Sequence, residues 1–229
     1  QDKSVTYIYD IFSKKLTEVA PFTVDLLLPS GAENLNYVLY TDESPYKMQR
    51  EWLDRLPFDI YSVNVHTGAK RLIGRSYRTA PKWSVNGKWA VMYDPIAQVW
   101  NKCDGATGKV VNISDAIGYP MFMESYDKPA PAPAYGIAGW TADGNNVFLY
   151  DAYDWWKIDL TGERQPECLT KGYGRKHGKS IRKMTSNIDK DVFQKDEKVI
   201  VSLWDKDTMD EGVYQLDMKG RLRKLMEGD

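Results

Sequence analysis

Short, mostly apolar runs of about six residues recur along the chain between turn signals. Tyr37-Val-Leu-Tyr-Thr-Asp42, Trp89-Ala-Val-Met-Tyr-Asp94, Asn146-Val-Phe-Leu-Tyr-Asp151 and Val199-Ile-Val-Ser-Leu-Trp204 are rich in β-branched and aromatic side chains, which suit a half-buried pleated surface. Strands are predicted.

The runs belong to a repeat. Trp83-Ser-Val-Asn-Gly-Lys88, Trp89 to Asp94, Val99-Trp-Asn-Lys-Cys-Asp104, Thr107-Gly-Lys109 and Val110-Val-Asn-Ile-Ser114 form one copy. Trp140-Thr-Ala-Asp-Gly-Asn145, Asn146 to Asp151, Asp154-Trp-Trp-Lys-Ile-Asp159, Thr161-Gly-Glu163 and Glu167-Cys-Leu-Thr170 match it element for element. A third copy begins at Phe193-Gln-Lys-Asp-Glu-Lys198 and ends at Leu225, and a fourth runs from Tyr37 to Ile73. The turn glycines Gly68, Gly108, Gly162 and Gly220 lie 40 to 58 residues apart, close to the ~40 to 50 period of propeller blades.

Turn chemistry explains each copy. Asn86-Gly87 and Asp143-Gly144 supply positive φ for tight hairpins. In Asp104 to Gly108 and Asp159 to Gly162 the Asp and Thr side chains can bond the local backbone while Gly takes the left-handed position. Each copy is then three or four antiparallel strands, and such sheets become stable by stacking their apolar faces. The expected fold is all-β: a β-propeller or a partial propeller arc of antiparallel sheets, about four blades plus part of another. One domain is expected over 1–229, with blade-like repeats at 35–75, 80–114, 137–171 and 182–226. Residues 1–20 read as the outer strands of an incomplete blade, with Asp10 and Ser13-Lys14 in the turn, which suggests a piece of a longer protein.

Two stretches break the pattern. Residues 45–56 place Met48, Trp52 and Leu53 or Leu56 at helical spacing, so a short helix packed on the core is expected. Between Ser114 and Gly139, the prolines of Asp127-Lys-Pro-Ala-Pro-Ala-Pro133 favour an extended segment that cannot continue a strand.

Composition narrows the function classes. The chain has 229 residues, with 31 Lys and Arg against 32 Asp and Glu and a net charge of -1. That balance argues against a nucleic-acid surface, which needs a clustered positive field. No apolar run approaches the roughly 20 residues of a spanning helix, so no membrane insertion is expected. Aromatic residues make up 13% of the chain, which strengthens the β reading. Residues 1–10 have neither the basic nor the apolar region of an export signal.

Catalytic chemistry is sparse in the sequence. Cys103 and Cys168, with only His66 and His177, do not form a standard zinc pattern and read as buried small hydrophobes. Both histidines fall in or beside predicted turns. No Gly-x-Ser-x-Gly elbow, phosphate-cradling loop or His-Glu-x-x-His is present, and carboxylate pairs such as Asp151 with Asp154 and Asp205 with Asp207 read as solvated turn residues. No catalytic residue, metal or cofactor is expected within the chain. The candidate substrate contacts are Tyr150, Asp151, Tyr153, Asp154, Trp155 and Arg175. Trp and Tyr pair an apolar ring with a polar tip, as channel linings do, and alternate members would equally pack between blades. Arg175 in Gly174-Arg-Lys-His-Gly178 could grip a substrate carboxylate or form a structural ion pair.

The runs Trp83 to Lys88, Tyr93-Asp-Pro95, Tyr135-Gly-Ile-Ala-Gly-Trp140, Tyr150 to Asp154, Trp156-Lys-Ile-Asp-Leu-Thr-Gly162 and Leu169-Thr-Lys-Gly-Tyr-Gly-Arg175 together resemble the N-terminal propeller of prolyl-oligopeptidase-like (S9) serine peptidases, especially those of Bacteroidetes-type bacteria. The resemblance spans roughly residues 35–229. It implies a non-catalytic propeller that gates or positions peptide substrate for a downstream α/β-hydrolase domain of the same polypeptide, in the periplasm or secreted. The hydrolase half is not in this sequence, so no catalytic residue carries over, and the paired-glutamate helix of dipeptidyl-peptidase relatives is not evident. The alternatives are a stand-alone interaction propeller of WD40 or TolB type and, more weakly, a carbohydrate-active propeller using the acidic clusters.

Overall fold

The apolar runs build antiparallel sheets through the described residues, which are 5–21, 26–28, 36–53, 55–184 and 191–227 of this computed structural model. Two units divide the chain, 1–112 and 113–229. In the first, β1 (Thr6–Asp10) and β2 (Lys15–Ala20) form a hairpin. Next come β3 (Leu26–Leu28), β4 (Tyr37–Asp42), β5 (Phe58–Asn64) and β6 (Lys70–Tyr77), a four-stranded sheet in chain order. A second such sheet holds β7 (Lys82–Trp83), β8 (Trp89–Asp94), β9 (Val99–Asp104) and β10 (Val110–Asn112). This chain-order meander is how a propeller blade is built.

Pleating decides what each face buries, because successive side chains point to opposite sides of a strand. Val38 and Tyr40 of β4 join Val19, Val63 and Val65 in one buried cluster. Leu39, between them, joins Ile60, Tyr77, Ala90, Met92 and Cys103 in another. The β3–β6 sheet is thus covered by the β1–β2 hairpin on one face and by the β7–β10 sheet on the other.

In the second unit, β11 (Ile137–Thr141), β12 (Asn146–Tyr150), β13 (Trp155–Asp159) and β14 (Glu167–Cys168) form a meander. A short helix, α1 (Tyr173–His177), follows, and then β15 (Lys179–Lys183), β16 (Val192–Phe193), β17 (Lys198–Asp205), β18 (Glu211–Asp217) and β19 (Leu222–Glu227). The last sheet has the order β15-β17-β18-β19, and β16 leaves it. The sequence repeat puts Phe193 in the first strand of the third copy; instead, β16 pairs parallel with β11, with Trp140 opposite Val192 and Thr141 opposite Phe193. Gly139 permits the approach, since a Cβ there would lie 2.5 Å from the Phe193 ring and 2.7 Å from the Asp191 carbonyl. Ala138, Phe148 and Trp155 of one sheet pack with Ile181, Val201, Leu203 and Leu216 of the other.

The stretch 45–56 also departs from expectation. It holds a 3-10 helix, Ser44–Gln49, with no buried residue, and Met48 and Trp52 are exposed. The Tyr46 hydroxyl donates to the buried Asp59 carboxylate and ties the helix to β5, so anchoring comes from a polar contact and from the buried Leu56. The Pro-rich stretch is irregular, and its ends meet where Phe122 bridges Ala134.

Five turns among the described residues share one design. Asp10, Asn64, Asp94, Asp104 and Asp205 each accept the N–H groups two and three residues on. The residue four on is left-handed: Lys14, Gly68, Gln98, Gly108 and Met209, with φ between 54° and 75°. A non-glycine residue is disfavoured there by roughly 1 to 2 kcal/mol, partly offset by the chain entropy of glycine. Gln98→Gly and Met209→Gly are each expected to stabilise the chain by about 0.5–1 kcal/mol, read as a higher urea midpoint at unchanged slope.

Burial also sets an alkaline limit. It pushes the Cys103 thiol up to about 12 and the Tyr77 and Tyr150 hydroxyls up to about 12. The folded chain therefore holds protons that the unfolded chain releases from pH 9 (thiol) and pH 10 (phenol) upward. Stability from these groups is complete below that range and is lost as pH rises toward 12. Urea unfolding at a series of pH values should show a level midpoint up to pH ~9 and a steady fall above it.

Candidate functional site

The turn between β12 and β13 holds Asp151, Tyr153 and Asp154, with Tyr150 and Trp155 at the strand ends that flank it, and its carboxylates explain its shape. Asp151 is fully buried. Its Oδ1 accepts the N–H groups of Tyr153, at 2.7 Å, and Asp154; its Oδ2 accepts Trp156 Nε1 at 3.1 Å and Arg175 Nη2 at 3.0 Å. Asp154, equally buried, accepts the Thr170 hydroxyl at 2.6 Å, the Gly174 N–H at 2.9 Å and the Arg175 N–H at 3.0 Å. It thereby satisfies donors in the first turn of α1 that have no intrahelical acceptor. Gly174 is required by space: a Cβ there would sit 2.7 Å from the carbonyls of both Tyr153 and Lys179.

Trp155 fills the core beneath. It is fully buried, its Nε1 donates to the Ile181 carbonyl at 3.1 Å, and it meets Tyr150 edge-on at 5.2 Å. The Tyr150 hydroxyl accepts the Lys183 N–H at 3.2 Å. Arg182 clamps the turn from the same side: its guanidinium donates to the carbonyls of Asp151, Ala152 and Ile181 and lies over the rings of Tyr150 and Tyr135. Burial pulls the pKa of Arg182 below its ordinary value.

Tyr150, Asp151, Asp154 and Trp155 are therefore enclosed, and Tyr153 and Arg175 reach the surface. The Arg175 side chain is 28% exposed. Its guanidinium carbon lies 3.9 Å from the Tyr119 ring centre and 5.0 Å from that of Tyr153. Tyr119 in turn lies 6.1 Å from Trp156. Burial opposes the charge on Arg175, but the Asp151 carboxylate more than offsets it and holds the guanidinium pKa above its ordinary value. The Nε of Arg175 is buried and has no acceptor among the described residues. The arrangement is a fixed cation between aromatic faces, able to meet a carbonyl or carboxylate oxygen beside an apolar group. Tyr119 and Arg182 were not among the sequence candidates. Tyr119 lies in the irregular 113–136 stretch, and Arg182 looks like any outward charge on an alternating strand.

The remaining reactive groups have local partners. His66 Nε2 lies 3.2 Å from Asn36 Oδ1; His177 Nδ1 lies 2.8 Å from the Tyr173 carbonyl, with its ring stacked on Tyr173. Cys103 is buried, and Cys168, half-buried, accepts the Gly172 N–H at 3.2 Å. Among the described residues no cluster of three His, Cys, Asp or Glu is placed to hold a metal ion. No helix among them is long and apolar enough to cross a membrane.

Four-stranded antiparallel meanders packed face to face define an all-β protein of the β-propeller class. No protein-family model matches the sequence, and no curated protein sequence does. Solved structures similar to it include a TolB from Agrobacterium tumefaciens, at 15% identity over 85% of this chain and a TM-score of 0.42. Dipeptidyl peptidase 4 of Porphyromonas gingivalis is similar at 12% identity over 97% of this chain, with a TM-score of 0.47. The acylaminoacyl peptidase of Pyrococcus horikoshii is similar at 14% identity over 84% of this chain, with a TM-score of 0.41. The chain spans 63%, 36% and 31% of those three structures, respectively.

Proposed function

We propose that this chain is a non-catalytic propeller domain that positions peptide substrate for a separate α/β-hydrolase domain of the same polypeptide, working in the periplasm or outside the cell. The motif resemblance to S9 peptidase propellers suggests the partner domain. The observation that carries the reading is the Tyr119-Arg175-Tyr153 stack, held from below by buried Asp151. A peptide offers both things such a surface takes: main-chain or terminal oxygens for the guanidinium and side chains for the rings. Because Asp151 fixes the guanidinium, little ordering is left to oppose binding.

Tyr119→Ala tests the reading, since Tyr119 is 44% exposed and its loss leaves the buried carboxylate network intact. Labelled peptides are expected to bind the wild-type chain and to bind the variant about tenfold more weakly, measured by fluorescence anisotropy, with the unfolding midpoint nearly unchanged. Folded wild-type chain that binds no peptide, or a variant that binds as well as wild type, overturns it. The alternative, an interaction propeller, draws on the outward apolar residues of the β1–β2 hairpin, where Tyr7, Tyr9, Phe12 and Leu16 are exposed. It predicts capture of a folded protein that Phe12→Ser abolishes and Tyr119→Ala does not.

A further inference from the structure

A cavity of about 650 Å³ in the first unit is lined by three arginines, Arg50, Arg55 and Arg78, among apolar residues that include Leu56 and Phe58. The chain brings them together from two places: the segment after the 3-10 helix supplies Arg50 and Arg55, and the residue after β6 supplies Arg78. Their only described ion pair is Arg50 with Glu43, at 3.7 Å, longer than a charge-assisted hydrogen bond. Three positive charges against one negative leave this lining with an excess of two among the described residues.

Arg78 adds a second, independent sign. Its Nε is buried and has no acceptor among the described residues. A buried N–H of a charged group left unpaired is unfavourable, and neighbouring like charges add to that. Both are relieved by one thing, an oxyanion in the cavity. Guanidinium groups match planar carboxylates and phosphates through paired N–H donors, and Leu56 and Phe58 supply an apolar wall beside them. We propose that this cavity binds a small organic anion, with a carboxylate or phosphate held by Arg50, Arg55 and Arg78 and an apolar part against Leu56 and Phe58. The site belongs to the first unit alone and does not depend on the peptide-binding reading of Tyr119 and Arg175.

The whole chain is titrated calorimetrically with phenyl phosphate, benzoate and inorganic phosphate. Saturable one-to-one binding is expected for at least one aromatic anion, more tightly than for inorganic phosphate, and weakening as sodium chloride is raised. Comparing phenyl phosphate with benzoate distinguishes phosphate from carboxylate as the preferred group. Arg55→Gln, at an exposed position, and Arg78→Gln are each expected to weaken binding about tenfold or more. Arg78→Lys should fail to restore it, because an ammonium lacks the planar fork. Absence of saturation up to ~10 mM, a range that includes weak anion sites, overturns the proposal. So does an unchanged affinity in an Arg55→Gln chain with a native circular dichroism spectrum. Loss of anion binding in Arg55→Gln with peptide binding retained separates this site from the one at Tyr119.

Discussion

Trp155→Ala is expected to destabilise the chain by about 4–5 kcal/mol, near the top of the range for a buried aromatic. Trp155 is the largest of the fully buried side chains. It packs with Phe148, Tyr150 and Phe193 between the two sheets of the second unit, so its removal leaves a cavity lined by three rings. The Ile181 carbonyl also loses its indole donor. Trp155→Phe restores most of the volume and none of the hydrogen bond, and is expected to cost about 2 kcal/mol. Urea unfolding followed by circular dichroism checks both. Peptide anisotropy on the same variants, set beside their unfolding, decides between packing and ligand contact: a contact residue would give a large loss of peptide binding at nearly unchanged stability, and that outcome would contradict the packing account.

Asp154→Ala is expected to cost about 3–4 kcal/mol, because it strands three donors in a buried site. The Thr170 hydroxyl and the N–H groups of Gly174 and Arg175 all converge on this one carboxylate. The Thr170 oxygen also accepts the Trp155 N–H, so the loss reaches the start of β13. Asp154→Asn keeps the shape and one or two of the bonds and should cost about half as much. Hydrogen exchange gives a local reading. Amides 170–178 should lose protection in Asp154→Ala before the β17–β18 ladder does. Uniform loss across the second unit would show that the carboxylate has no special tie to the helix.

What the sequence made legible was local. Asn86-Gly87 and Asp143-Gly144 do close the β7–β8 and β11–β12 hairpins with left-handed glycines, since a two-residue signal carries its own backbone requirement. The turns at Asp94 and Asp205 share the geometry of the Asp104 turn; Asp205 reads as a turn residue, but the left-handed position was not legible in either, because Gln98 and Met209 stand where Gly108 does. Register with a distant strand was not legible either. Nothing in Val192-Phe193 names β11 as its partner, and the hint lies in Gly139, where the missing side chain makes room. For the candidate site, the sequence located the cluster from Tyr150 to Trp156 but could not separate its buried layer from its exposed one. Aspartates three apart can both face solvent or, as here, both turn inward when a loop from 170 to 175 brings donors to them. The helical spacing in 45–56 misled for a related reason: an apolar stripe predicts burial only if something covers it, and Met48 and Trp52 remain uncovered.

The parallel pairing of β16 with β11 has a consequence for how the second unit is made. During synthesis the hairpins of β11 to β14 emerge from the ribosome well before Val192, and the Trp140 and Ala142 amides that later donate to Asp191 and Phe193 wait without acceptors. A nascent chain paused in that interval presents an open strand edge to its surroundings. The vulnerable period ends only when the sixteen residues from Gly178 to Phe193, beyond α1, have been added, so the speed of translation through 178–193 becomes a determinant of yield.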